Sequence, residues 1–135
     1  MENNTLFNRA DLSIEMLLSE IESGAVGLPK MQRRFVWKDS KIRDLLTSML
    51  KGYPIGFVIT WESPDNNKSK QIGTSEHGYS IPSKLIIDGQ QRLTSLYCVF
   101  KGKAVEDSGY KERHIVISFN PILKRFEVAT PALQK

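Results

Sequence analysis

Hydrophobic residues return at helical spacing in three stretches of the chain. Ile14, Leu17, Leu18 and Ile21 recur at i, i+3, i+4 and i+7, which sets one apolar stripe along a helix. Asp11 or Ser13 stands where a side chain can cap its first turn, and Gly24 and Gly27 end it. Ile42, Leu45, Leu46, Met49 and Leu50 form a second stripe, with Asp39 or Ser40 as the cap, Gly52 past the end and Pro54 confirming the stop. Leu93, Leu96, Tyr97 and Phe100 form the third. Before the first helix the chain is polar, with a Leu6-Phe7 pair that could begin a short strand.

Between these helices the pattern changes. Residues 55–61 (Ile-Gly-Phe-Val-Ile-Thr-Trp) are rich in strand formers. Leu85-Ile86-Ile87 is a short apolar run with the length of a buried strand. Residues 113–119 carry Ile115, Val116, Ile117 and Phe119 and read as another strand. After Asn120-Pro121 turns the chain, residues 124–129 put Phe126 and Val128 on one face of a last, half-exposed strand. Residues 62–83 are polar and full of breakers, a connection long enough to expect an exposed loop or a β-hairpin extension there. Residues 101–111 read as a second polar loop. Helices and strands mix without strict alternation, so the expected class is α+β, a small mixed sheet with packed helices.

Composition narrows the setting. The 135 residues fit one domain over 1–135, and the 40% hydrophobic and 25% charged fractions are ordinary for a folded protein. No closing helix follows the last hairpin, so the chain reads as a fragment of a longer protein or a truncated relative. No apolar leader and no apolar run of about 18 residues appears, so a soluble, cytoplasmic protein with no membrane partner is expected. Cys98 is the single cysteine, which excludes a disulfide framework, and its place on the third helix marks it as a packing residue. His77 and His114 are isolated and lack zinc-site spacing. The net charge of +4, from 19 basic and 15 acidic residues, suits a nucleotide or nucleic-acid partner without requiring one. Lys38, Lys41, Arg43 and Lys51 lie mostly off the second stripe, which is the pattern of a solvated face.

The chemistry concentrates at Asp88-Gly89-Gln90-Gln91-Arg92. A strand running through a glycine straight into a helix points several backbone N–H groups at one place, where an anion can bind. Arg92 in the first helical turn is unfavourable against the helix dipole unless it meets something negative, and a guanidinium can grip an anion with two parallel bonds. A second arm is Gln32-Arg33-Arg34-Phe35-Val36-Trp37. There arginines and a glutamine able to reach a phosphate or base edge neighbour aromatics that can stack on a base or anchor the loop.

Two stretches taken together resemble a known family. Leu28-Pro29 followed by Gln32-Arg33-x-Phe35-x-Trp37, a helix ending Gly52-Tyr53-Pro54-Ile55-Gly56, and then Asp88-Gly89-Gln90-Gln91-Arg92-Leu93-Thr94 resemble the N-terminal domain of GmrSD-type restriction enzymes and related phage-defence proteins. That domain is described as ParB/sulfiredoxin-like. One position departs: Arg34 stands where many relatives carry proline. The resemblance implies a nucleoside triphosphate and Mg²⁺ as cofactors, with nucleotide binding or hydrolysis controlling a nuclease domain. No nuclease motif stands in this chain, so that domain or subunit would lie elsewhere.

On this reading Gly89, Gln90 and Gln91 present backbone N–H groups to the phosphates. Gln32 and Arg33 approach from the second arm, and Arg92 neutralises phosphate charge as a clamp does in phosphoryl transfer. Thr94 could add a hydroxyl or bond back to its own turn. Asp88 either caps the helix or holds Mg²⁺ and orients the attacking water, which makes Asp88, Gln91 and Arg92 the candidate catalytic set. With the ligand as its partner, Arg92→Ala should leave the domain folded. The alternatives are a DNA-binding or modified-DNA-sensing module, with Arg33, Arg34 and Lys41 on backbone phosphates, and a protein-interaction domain. A homo-oligomer is left open.

Overall fold

The computed structural model describes residues 6–29, 34–62, 69–70 and 82–129. The three apolar stripes become helices α1 (Ile14–Glu22), α2 (Asp39–Leu50) and α3 (Gln90–Lys101). Ser13 caps α1, its Oγ accepting from the Met16 N–H at 3.2 Å, while Asp11 stays outside. The N-cap of α2 is Lys38, not Asp39 or Ser40, and no side chain caps it; Asp39 is already inside the first turn. Leu50 and Phe100, placed by spacing on buried stripes, are exposed. Each lies at the far end of its helix, where the helix has run past the core.

α3 is the element the others enclose. Beyond Leu93, Leu96 and Tyr97, burial reaches Gln90, Gln91, Thr94, Ser95 and Cys98. α1 and α2 both pack on α3. The main core joins Leu18 and Ile21 of α1, Ile42, Leu45 and Leu46 of α2, and Leu93 and Leu96 of α3 to Phe35, Ile86 and Val105.

The sheet is mixed, and the fold is α+β as expected. Its strands are β1 (Val26–Pro29), β2 (Ile59–Glu62), β3 (Ser69–Lys70) and β4 (Lys84–Asp88), in the order β2-β4-β1-β3. β1 runs parallel to β4, with Gly27 opposite Leu85; β2 is antiparallel to β4 and β3 to β1. β1 has no sequence signature. It is four residues long and ends on Pro29, which lacks an N–H. β3 lies within the connection expected to be an exposed loop or a β-hairpin extension, of which residues 63–68 and 71–81 lie outside the described residues.

Three expectations change here. The strand expected over 55–61 begins only at Ile59, because residues 55–58 are turned away from the ladder, as the site geometry below explains. The strand expected over 113–119 is two strands in different ribbons. β5 (Val105–Glu106) pairs with β6 (Glu112–Arg113), and β7 (Ile117–Asn120) pairs with β8 (Arg125–Val128). The buried Ile115 sits between them. The turn of the second hairpin follows Asn120, whose Oδ1 accepts from the Ile122 and Leu123 N–H groups at 3.1 and 3.0 Å. Leu6 and Phe7 form no strand and are exposed.

Candidate functional site

β4 delivers the chain to Asp88, Gly89 makes the turn, and α3 starts at Gln90. Gly89 has φ +95°, a left-handed value that glycine adopts without strain, and a Cβ there would meet Val58 Cγ2 at 3.0 Å. Gly89 is the N-cap of α3, without a side-chain cap. Asp88 therefore does not cap the helix. Its carboxylate is 67% exposed, with Oδ2 3.8 Å from Arg92 Nη2.

A polar cleft of about 320 Å³ lies here, lined by Trp37, Lys41, Ile87, Asp88, Gly89, Gln90, Gln91 and Arg92. One wall is the start of α3 and the other is the start of α2. Neither N-cap residue, Lys38 or Gly89, caps its helix through a side chain, and Lys41 of α2 and Gln90, Gln91 and Arg92 of α3, all near the helix starts, line the one cleft. Lys41 adds an ammonium that lies 4.7 Å from the centre of the Trp37 ring. Asp88 is the carboxylate in the lining.

The side chains of Gln91 and Arg92 look outward from the cleft as well as into it. The Gln91 amide behaves like a piece of strand: its Oε1 accepts from the Val36 N–H at 2.9 Å, and its Nε2 donates to the Arg34 carbonyl at 3.2 Å. Arg92 donates from Nη1 to the Ile55 carbonyl at 2.5 Å and from Nη2 to the Phe57 carbonyl at 2.8 Å. Two consecutive residues of one helical turn thus hold the segment that precedes α2 and the segment that follows it. This corrects the expectation that the partner of Arg92 is a ligand alone. It also explains the late start of β2, since carbonyls turned to a guanidinium are not in the ladder.

Gly56 makes this arrangement possible. It sits between the two carbonyls at φ +91°, and a Cβ there would lie 2.6 Å from Arg92 Nη1. The motif helix ending Gly52-Tyr53-Pro54-Ile55-Gly56 and the Asp-Gly-Gln-Gln-Arg turn are therefore two halves of one contact.

The arm that holds Phe35 and Trp37 is pinned several more times. Phe35 is buried and bridges to Asp107. Arg34 Nη1 pairs with Glu106 Oε1, and its guanidinium lies 3.7 Å over the Tyr110 ring. Arg34 is thus engaged inside the fold with Glu106 and Tyr110. Arg113 donates to the Trp37 carbonyl at 2.6 Å, lies 3.6 Å from Asp39 Oδ1 and stacks over Phe35 at 5.2 Å. Arg113 and Glu106 carry no local signal, since each sits in an unremarkable polar stretch and acts only through tertiary contact.

Gln32 and Arg33 lie outside the described residues. Thr94 does not line the cleft; its hydroxyl is buried and has no hydrogen-bond partner among the described residues. The back-bond to the helix turn is made instead by Ser95, whose Oγ donates to the Gln91 carbonyl at 2.7 Å. No group of three metal-ligating side chains occurs among the described residues.

Cys98 is buried among the core side chains, away from the cleft lining. Burial pushes its thiol up to about 11, against a smaller opposing effect of Arg113. Because the thiolate is the reactive form, a soluble disulfide reagent at pH 8 should label Cys98 at least about tenfold more slowly in the folded protein than in urea. Labelling at equal rates would mean that Cys98 is accessible.

A family model for the N-terminal domain of GmrSD restriction endonucleases matches residues 14–132, and the chain belongs to that family. It is also similar to an uncharacterized protein of Methanocaldococcus jannaschii. The two are 39% identical over 89 residues, 60% of this chain and 15% of the relative. The chain thus spans about 15% of the length of the curated relative it matches. No described helix is long and apolar enough to cross a membrane.

Proposed function

We propose that the cleft binds and hydrolyses a nucleoside triphosphate, and that the domain uses this to regulate a nuclease activity of a restriction and phage-defence system. The observation that carries the reading is the meeting of two uncapped helix starts at a polar cleft, with Lys41 and Arg92 in its lining and a single carboxylate beside them. Phosphates fit against the turn of Gly89, Gln90 and Gln91, where backbone donors and helix dipoles favour negative charge. Lys41 and Arg92 neutralise the rest, and Trp37 offers the flat apolar wall for a base. The cleft volume is that of a small-ligand site.

Asp88 is the cleft group able to accept a proton from an attacking water. Both ends of the Gln91 amide are bonded to the backbone at residues 34 and 36, so its share in the reaction is to hold the Trp37 wall in place. A Mg²⁺ carried by the nucleotide fits a cleft with one exposed carboxylate, since such an ion takes its other ligands from phosphates and water. When bound, the ion would offset charge on the phosphates.

A thermal-shift screen of the four nucleoside triphosphates, with and without Mg²⁺, tests this directly. At saturation a bound nucleotide should raise Tm by roughly 5–10 °C. Lys41→Ala, which removes one cleft cation, should weaken binding by about tenfold. Asp88→Asn should keep binding and lose phosphate release. Flat melting curves for all four at millimolar concentration would sink the proposal.

A further inference from the structure

We infer that Arg92 is a strap that the ligand unfastens: an anion in the cleft draws the guanidinium off the Ile55 and Phe57 carbonyls, releasing residues 53–58. The inference rests on the nucleotide reading of the cleft and concerns how occupancy is passed on.

The guanidinium has two duties that compete. It lines the cleft, with its side chain 19% exposed there, and both of its Nη atoms are bonded to carbonyls that flank Gly56. A phosphate takes an arginine most strongly as a two-pronged fork, and its charged oxygens outcompete neutral carbonyls. A phosphate that takes the fork of Nη1 and Nη2 for itself displaces both carbonyls, whereas one held only through Nε and the spare Nη hydrogens leaves the strap fastened.

The seat is built for the guanidinium. Gly56 and Gly89 both adopt left-handed φ, at +91° and +95°, and a Cβ on either would approach an Nη atom, at 2.6 and 3.4 Å. Residues 54–58 lie between the end of α2 and the first rung of β2, outside the ladder. Loss of the strap frees a stretch whose Tyr53 and Phe57 are already exposed, Phe57 by 75%, and which runs into the edge strand of the sheet. Occupancy of the cleft is then felt on a surface that the ligand does not touch.

Hydrogen exchange on the full chain, with inorganic triphosphate and with each nucleoside triphosphate plus Mg²⁺, reads this out. Binding should slow exchange at residues 88–92 and speed it at 53–58. Gly56→Ala lies off the cleft lining and pushes the guanidinium from its seat. It should speed exchange at 53–58 without ligand, and tighten binding by about fivefold or more because the strap is already undone. Should that variant not fold, Arg92→Lys keeps the charge but not the fork, and should leave 53–58 fast both with and without ligand. Binding that protects 88–92 and leaves 53–58 unchanged, or a Gly56→Ala protein that binds more weakly, overturns the strap and leaves the nucleotide reading standing. Failure of every probe to bind overturns both.

Discussion

Arg92→Ala should lower the unfolding free energy by about 2–3 kcal/mol, read as a fall in the urea midpoint at constant slope. The guanidinium gives one charge-assisted bond to each of two backbone carbonyls, and removing it leaves both without that donor. Asp88 adds little, because its carboxylate is 3.8 Å away and mostly in water. Arg92→Lys should recover only a small part of the loss, since one ammonium cannot span carbonyls two residues apart. A change within about 0.5 kcal/mol, the usual range for an exposed surface position, would mean that the two bonds do not hold the fold. The variant therefore separates a structural contribution from a ligand-binding one, and nucleotide affinity must be compared at matched folded fraction.

The helices were legible because each has a stripe at i, i+3, i+4 and i+7, and Ser13 caps α1 by the ordinary side-chain bond. What hid from the pattern was set by contacts distant in sequence. Gly56 lies among strand formers, yet its stretch is irregular because Arg92, 37 residues from Ile55, takes its carbonyls. Val105 sits in a polar loop and is buried, because the short β5–β6 ribbon lays it on the core. At the site, the Asp-Gly-Gln-Gln-Arg turn from strand through Gly89 into helix was legible by local rules alone. The facing wall of Trp37 and Lys41 was not, because its position depends on Gln91 and Arg113 reaching across to residues 34–37. The same turn carries a second meaning that spacing cannot express. Gln91 and Arg92 point into different neighbours, and those neighbours are the two ends of α2.

Gln91→Glu should be among the most damaging isosteric changes in the chain, lowering stability by about 2–4 kcal/mol at pH 7. Gln91 is only 8% exposed, and its amide uses a donor and an acceptor at once. A carboxylate keeps the acceptor for the Val36 N–H. Its other oxygen, however, faces the Arg34 carbonyl, where two acceptors repel and a buried charge lacks a cation bonded to it. The helix start and Lys41 soften the penalty without supplying the lost donor. Burial and that repulsion both favour the neutral acid, so the folded pKa of the introduced carboxyl lies above its unfolded value of about 4.3. With the folded pKa raised, the variant is best off below the unfolded pKa, where the protonated carboxyl donates to the Arg34 carbonyl as the amide did. That recovery is lost as pH rises through the folded pKa. The wild-type glutamine does not titrate, so the difference between the two proteins isolates this one group. Urea unfolding of both at pH 4 and pH 7 should show the deficit shrinking at the lower pH. A deficit that is the same at both would mean that the damage comes from shape and not from the missing N–H.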